Sequence, residues 1–573
     1  MDRLIDWGVR VVFGLPGDGI NGVMEALRKR QDKIKFVLVR HEEGAAFEAC
    51  GYSKFTGDVG VCLATSGPGG IHLLNGLYDA HMDNRPVLAI TGRTYSDLIG
   101  SGYQQDVDLL APFQKVAGFN HMIINPWQAE MATDLALKYA MQNRDVSHIS
   151  IPIDVQVEPL LKSRETEHKV KHMTSDAVGS LSLPPKNELQ RAADVLNHGK
   201  KIVIFCGAGA LNAGDEVVEL SRRLNAVIVK ALLGKAVVPD DDPHCLGGLG
   251  LLGTAPSQDA MEEADTLLMV GTSFPYADYL PKPGQARGVQ IDIKGDRIGT
   301  RYPVEVGLTG DSRLTLIELN KLVNQNTDAA FLNSMQAKMR EWWQLMENRG
   351  TRPDTPMKPQ VVPWALTDML DDDAIICTDS GTITTWAARY IKIKRRQLFS
   401  CSGSLASMAN GLPYAVAAQI AFPHRQVVAL VGDGGFTMLM GEFSTAVEQN
   451  LPIKVIIFKN GALGQIKWEQ IGFLGNPSFG VEFADIDFVK FAESCHGVGL
   501  RIEKPNEAKS VLEDALQEKR PTIVEALVDQ NEPPNPAKLT TKQVENFAKA
   551  LVKGEPDRGR IALTLFRDKL SEL

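Results

Sequence analysis

No stretch of the 573-residue chain approaches the roughly 18 consecutive apolar residues needed to cross a bilayer. Its first residues, MDRLIDWGVRVVFGLPGD, also lack the basic-then-apolar order of a secretory signal. Cysteine is scarce: seven residues (Cys50, Cys62, Cys206, Cys245, Cys377, Cys401, Cys495), scattered and never in a C-x-x-C pair. That scarcity excludes a disulfide framework and a readable zinc site, and it argues for buried thiols in a reducing compartment. Blocks of like charge are missing too. Lys and Arg number 61 against 70 Asp and Glu, a net −9 spread along the chain, which leaves no footprint for nucleic acid. There is no repeat of solenoid period and no low-complexity tract. What remains is a cytoplasmic, multidomain globular protein of about three or four domains, at roughly 150 residues each.

Two polar stretches break the pattern and read as linkers: Lys162 to Glu188, with Pro184 and Pro185, and Glu347 to Gln360, with RPDTPMKP. Between them, short β-branched runs alternate with helix-like stretches. The runs are FVLVR, GVCLAT and PVLAIT; KIVIFC, AVIVKA, TLLMVG and GVQIDI; AIICTD, QVVALVG and IKVIIF. This alternation predicts an α/β protein of three consecutive parallel-sheet domains, over 1–161, 187–325 and 358–530. A C-terminal tail, 531–573, follows the turn-rich NEPPNP.

The run VVALVGDGGF ends an apparently buried strand on Asp433. In a parallel sheet the carboxyl ends of the strands carry the ligand site. A helix and a second strand, PIKVIIFKN, bring the chain back to Asn460, 27 positions after Asp433, so the two can lie side by side. A carboxylate, an amide oxygen and a backbone carbonyl suit Mg²⁺ shared with phosphate oxygens. Gly434 and Gly435 would let backbone N–H groups approach a phosphate at the following helix start. A GDG alone is also an ordinary turn; the asparagine at this spacing is what favours a site.

GDG with Asn460, together with FGLPGD (Phe13 to Asp18), RHEEGAAF (Arg40 to Phe47) and TSGPGG (Thr65 to Gly70), resembles the thiamine diphosphate enzymes of the acetolactate synthase and pyruvate oxidase group. The likeness runs in order over nearly the whole chain. It implies a pyrimidine-binding domain, a central FAD-binding-type domain and a diphosphate-binding domain. It also implies an active site shared between the first domain of one subunit and the third of another, in a homodimer usually doubled to a tetramer. Glu42 would then exchange a proton with the cofactor's aminopyrimidine ring, a task that the apolar flank GAAF suits; His41 and Glu43 take no catalytic role. Pro16 and Gly17 would join the cofactor contacts. In SLASMANGLP, Met408 would wedge between the cofactor rings and the Ala406 carbonyl would accept from the pyrimidine amino group, although a methionine is more often plain core packing. Gly381, Thr382 and Ile383 of SGTITTW, with Gly432, Gly434 and Gly435, would hold the diphosphate. The metal would sit on Asp433, Asn460 and the Ala462 carbonyl.

The fate of the electrons separates members of this group. KIVIFCGAGAL is a strand entering a glycine turn, which admits a phosphate or makes only a tight corner. Followed by VKALLGKAVV, GGLGLLG, VGTSFPYADY, VQIDIKGD and LTGD, it resembles the flavin-contacting loops of pyruvate oxidases. That likeness assigns FAD to Gly207, Ala208, Gly209, Gly271 and Thr272, with Asp292 at the ribose and Asp311 near the adenine; a vestigial, flavin-free domain is the alternative. Glu469 in ALGQIKWEQIG stands where the synthases typically place a tryptophan, and Gln105 in IGSGYQQD would reach the substrate. Gln104 and Lys459 depart from the usual phenylalanine and asparagine.

The expected activity is oxidative decarboxylation of pyruvate or a similar 2-oxo acid, with electrons passing to FAD and then quinone and with acetate as product. Transfer to phosphate and oxygen, giving acetyl phosphate, and carboligation of acetolactate synthase type are the alternatives. In the tail, Val544, Phe547, Ala548 and Leu551 share one helical face, and Ile561, Leu565 and Phe566 begin another. Its seven basic and five acidic residues give a local +2. Such a segment would either pack on its own oligomer or touch the inner face of the membrane peripherally. FGLPGD begins at position 13, where the group has a longer first helix, so the chain is expected to start inside a longer product.

Overall fold

A strand buried at five of its six positions, as Val427–Gly432 is, needs both faces of its sheet covered. The computed structural model, which describes residues 1–160, 181–394, 396–538, 541–556, 558–562 and 564, builds three such sheets. The first holds β1 (Val11–Gly14), β2 (Lys35–Leu38), β3 (Gly60–Ala64), β4 (Val87–Arg93), β5 (Ala117–Met122) and β6 (Val146–Pro152), in the order β2-β1-β3-β4-β6-β5. The second holds β7 (Ile202–Cys206), β8 (Val227–Lys230), β9 (Cys245–Gly248), β10 (Thr266–Val270), β11 (Arg287–Asp292) and β12 (Val306–Thr309), in the order β12-β11-β10-β7-β8-β9. The third holds β13 (Ile375–Thr378), β14 (Leu398–Ser400), β15 (Val427–Gly432), β16 (Lys454–Lys459), β17 (Val498–Ile502) and β18 (Thr522–Leu527), in the order β14-β13-β15-β16-β18-β17. Every pairing within these sheets is parallel.

The first and third sheets share one strand order, although their sequences show no repeat. Near the middle of each sheet the order reverses: between β1 and β3, between β7 and β10, and between β13 and β15. At such a reversal the loops leave toward opposite faces and open a crevice at the carboxyl ends of the strands. Three crevices are therefore fixed by topology alone.

The domains share cores. Helix Glu42–Thr56 of the first lies on helix Gly411–Ala421 of the third, and one apolar cluster runs from Phe13 and Phe47 to Tyr414 and Val431. Close approach needs a small residue there: a Cβ at Gly51 would sit 3.0 Å from Tyr414. A second cluster joins the central and third sheets through Phe205, Trp342 and Trp386. All seven cysteines are free thiols and six are buried.

The linkers and tail differ from expectation. Glu347 to Gly350 close the 21-residue helix Ala330–Gly350, because Met339, Trp342 and Met346 carry its apolar stripe onward. Of the other linker, residues 161–180 lie outside those described, and helix Lys186–Asn197 has already begun before Glu188. The tail's first residues, Asn531 to Pro534, are buried, with Glu532 in an ion pair with Lys358 and accepting from Gln360. Helix Thr541–Val552 buries Asn546 and Ala550 while Phe547 stacks on Trp468; Val544 and Ala548, which the sequence places on one face with Phe547, are exposed. The shift arises because Asn546 turns inward to donate to the Phe473 carbonyl at 2.6 Å. Leu565 and Phe566 lie outside the described residues. No described helix is long and apolar enough to cross a membrane.

Candidate active site

At the first crevice, Pro16 and Gly17 follow β1, and the loop Thr65 to Gly70 follows β3. A Cβ on Gly17 would fall 2.6 Å from that of Thr65, and the Gly19 N–H donates to Thr65 Oγ1 at 3.1 Å. Ser66 Oγ donates to Gln105 Oε1 at 2.6 Å, holding Gln105 at a left-handed φ of 60°. Glu42, the first residue of its helix, is 6 % exposed. Its Oε2 lies 2.9 Å from His72 Nδ1, and a Cβ on Gly69 would lie 3.0 Å from its Oε1. Gly17, Gln105 and Glu42 thus all touch the one loop Thr65 to Gly70. His72 was not foreseen. Its signal was its place two residues after TSGPGG, one turn from Gly69, which packs on Glu42.

The third crevice explains the buried aspartate. Asp433 Oδ1 accepts from the Gly434 N–H at 2.9 Å and Oδ2 from the Gly461 N–H at 2.7 Å. Burial pushes its pKa up, against the pull of those two donors. Asn460 Oδ1 accepts from the Ala462 N–H at 3.0 Å, and the Ala462 carbonyl accepts from the Gly464 N–H at 2.8 Å. Each oxygen keeps a free lone pair, and together they form the hard-donor set that a divalent cation such as Mg²⁺ takes. Gly381, Gly432 and Gly461 have nothing within 4 Å of a would-be Cβ, so their backbones face open space suited to a phosphate. Gly381 reaches φ 122° just ahead of helix Thr382–Tyr390, which holds Ile383. Thr382 packs toward Asn460 across Gly464.

Asp379, at the end of β13, was also missed. It is fully buried, its Oδ2 has no hydrogen-bond partner, and burial lifts its pKa to about 7. A Cβ on Gly435 would lie 2.0 Å from that oxygen, so this glycine is required for the loop to close over Asp379.

Met408 is bracketed by two alanines in the left-handed region, Ala406 (φ 55°) and Ala409 (φ 73°). Non-glycine residues hold such angles only where their surroundings impose them. The first domain imposes them here. Asp83 accepts from the N–H groups of Gly403 and Ser404 at 2.9 and 2.8 Å, and Asp79 accepts from Ser402 Oγ at 2.8 Å. Lys54 donates to Asp83 and to the Cys401 carbonyl, both at 2.7 Å. The two aspartates hold the Lys54 pKa above its usual value in spite of burial.

The central crevice opens into a cavity of about 1100 Å³ lined by Gly207, Ala208, Gly209, Gly271, Thr272, Asp292 and Asp311. Glycine is obligatory where its loops cross: a Cβ on Gly207 would lie 2.4 Å from the Gly271 carbonyl. Asp292 accepts from the Lys294 N–H at 2.9 Å, and burial raises its pKa. Asp311 spends one oxygen capping helix Ser312–Leu322 through the Leu314 N–H at 2.9 Å. A cavity lined by both glycine turns and a carboxylate suits a dinucleotide. The same cavity runs on to Gly381, Ala406, Gln465 and Glu469, whose Oε1 accepts from Gln465 at 3.0 Å. Lys459, the departure beside Asn460, pairs with Asp485 and the buried Glu525, both at 2.6 Å, and so serves the sheet.

Comparison with known proteins follows this geometry domain by domain. Models of the thiamine pyrophosphate enzymes match in series: the N-terminal TPP binding domain over residues 1–111, the central domain over 189–319 and the C-terminal TPP binding domain over 379–526. The chain is 40 % identical to the protein YdaP of Bacillus subtilis (strain 168), whose name describes it as thiamine pyrophosphate-containing; the match spans 100 % of this chain and 98 % of that one. It is 31 % identical to the pyruvate oxidase of Lactiplantibacillus plantarum, over 92 % of this chain and 87 % of that one. It is also 31 % identical to the acetolactate synthase isozyme 3 large subunit of Escherichia coli (strain K12), over 92 % and 94 %.

Proposed function

The chain belongs to the thiamine diphosphate enzymes of the acetolactate synthase and pyruvate oxidase group, and from that premise we propose that it decarboxylates pyruvate, or a similar 2-oxo acid, oxidatively. In this reading pyruvate and water give acetate and carbon dioxide, and the two electrons released reduce FAD and then a quinone. The observation that carries it is the continuity of the cavity: the space at Gly207 and Asp292 runs unbroken to Ala406 and Glu469. A flavin held there would stand within reach of the reacting centre.

Bound thiamine diphosphate supplies a sink for the electron pair freed with carbon dioxide. The chain's own residues take the following roles. Asp433, Asn460 and the Ala462 carbonyl hold Mg²⁺, and the backbones of Gly381 to Ile383, Gly432, Gly434 and Gly435 hold the diphosphate. Met408 and the Ala406 carbonyl set the bend and register of the cofactor. Pro16 and Gly17 face its pyrimidine side, where Glu42 gives and takes a proton while His72 fixes the orientation of its carboxylate. Gln105 and Glu469 orient the substrate. Gly207, Ala208, Gly209, Gly271, Thr272, Asp292 and Asp311 hold FAD.

Pro16, Gly17, Glu42 and Gln105 are absent from the lining of the large cavity. This supports a homo-oligomer, a dimer doubled to a tetramer, in which one chain's first crevice closes on its neighbour's third. Quinone as acceptor, reached at the membrane surface, finds support in the tail. The tail is weakly basic, exposes Val544 and Val552, and packs on Trp468 beside Glu469.

The test is product analysis with a soluble quinone. One acetate and one quinol per pyruvate support the reading. Acetolactate without quinol overturns it in favour of carboligation. Acetyl phosphate formed only with phosphate and oxygen moves the acceptor from quinone to oxygen.

A further inference from the structure

The helix that begins at Glu42 is held at its start by a side chain from another domain. Glu442, at the head of helix Glu442–Glu448 and 1 % exposed, reaches across with Oε1 and accepts from the backbone N–H of Arg40 at 2.9 Å and of His41 at 3.1 Å. Its Oε2 accepts from Thr445 Oγ1 at 2.7 Å, which fixes the carboxylate's rotation. Arg40 adds a side-chain contact to Ser444 Oγ at 2.9 Å. Space for the carboxylate exists only because residue 44 is glycine: a Cβ there would lie 2.5 Å from Glu442 Oε1. A carboxylate at a helix start satisfies donors that lack an intrahelical partner and favours the helix dipole. This one therefore sets both the position and the direction of the turn that presents Glu42. A second tie runs alongside, from Glu43 Oε1 through Asn75 Nδ2 to Ser407 Oγ, at 2.7 and 3.0 Å.

We propose that Glu442 is a positioning residue for Glu42, acting through the backbone of Arg40 and His41. It stands on the segment that follows the Asp433 loop, so one stretch of the third domain serves two crevices. Asp433 belongs to its own, and Glu442 steadies the proton-transfer group of the first. This inference rests on the reading of Glu42 as that group.

Four variants of the full-length protein test it: Glu442→Ala, Glu442→Gln, Glu42→Gln and the double variant Glu42→Gln/Glu442→Ala. Amide hydrogen exchange of the peptide spanning Arg40 and His41, measured without cofactor, reports the tether directly. Exchange of the C2 proton of bound thiamine diphosphate reports its consequence. In Glu442→Ala the two amides should lose at least about ten-fold protection. C2 exchange should slow by up to roughly 10²-fold, the cost of misplacing a catalytic group by about 1 Å. Glu442→Gln keeps an acceptor oxygen and should recover to within about three-fold of wild type. The double variant should be no slower than Glu42→Gln alone, because the tether acts only through Glu42. If Glu442→Ala does not fold, Gly44→Ala, which displaces the carboxylate from the opposite side, should reproduce the slowing. Wild-type C2 exchange in Glu442→Ala beside a slow Glu42→Gln overturns the proposal, as do losses that multiply in the double variant. An unslowed Glu42→Gln overturns instead the role given to Glu42, while amide protection still reports whether the tether exists.

Discussion

Replacing Glu48 with methionine should stabilise the protein, and more so at high pH. Glu48 lies on the Glu42–Thr56 helix, fully buried, and neither carboxylate oxygen has a hydrogen-bond partner. Burial, reinforced by the neighbouring Glu442 carboxylate, holds its pKa well above the ordinary 4.5. A group raised in this way favours the folded state below its unfolded pKa and loses that contribution as pH climbs, because the unfolded chain gains by ionising where the folded one does not. An unsatisfied buried polar group costs about 1–3 kcal/mol, and methionine fills a similar volume without it. The expected gain is therefore about 1–3 kcal/mol near pH 5 and larger at pH 8. At about 2–4 °C per kcal/mol for a domain of 150–250 residues, calorimetric scans should separate the variants clearly. A gain that is equal at both pH values would refute the linkage. A loss at both would show that Glu48 has a stabilising partner and would refute the premise.

Two further substitutions probe the crevices one at a time. Asp433→Asn should weaken Mg²⁺ binding in the presence of thiamine diphosphate by at least roughly ten-fold, read by titration calorimetry; unchanged affinity would place the metal elsewhere. Gly207→Val drives a side chain into the Gly271 carbonyl 2.4 Å away, and should abolish FAD retention while leaving thiamine diphosphate affinity within about three-fold. Retained flavin in that variant would empty the central crevice of its assigned role.

How far the sequence disclosed all this depended on distance along the chain. Ten strands announce themselves as β-branched runs, nine of them largely buried and one, β2, at a sheet edge. Others do not: β5 (AGFNHM) and β17 (VGLRI) lie at sheet edges, where one side meets solvent and apolar residues are not required. Central β18 is masked by Glu525, a charge it can bury only because Lys459 and Arg501 pair with it. The glycine loops and the Asp433–Asn460 spacing were legible because they are local patterns whose geometry a strand-helix-strand unit dictates. His72, Asp379 and Glu442 were not, since each acts on a partner supplied by the fold. Glu442 meets its partners about four hundred residues away in sequence. The buried face of the tail was illegible for a related reason. Its buried stripe includes a polar residue, Asn546, which only the Phe473 carbonyl explains.

The central claim is that electrons leave a 2-oxo acid at the third crevice and arrive at a flavin in the second. Its most direct test is the visible spectrum of the purified protein, recorded anaerobically with FAD, thiamine diphosphate and Mg²⁺ before and after pyruvate is added. The account predicts a flavin band that bleaches on addition of pyruvate, and that bleaches far more slowly in Glu42→Gln. A bound flavin that stays oxidised while carbon dioxide is released would contradict it.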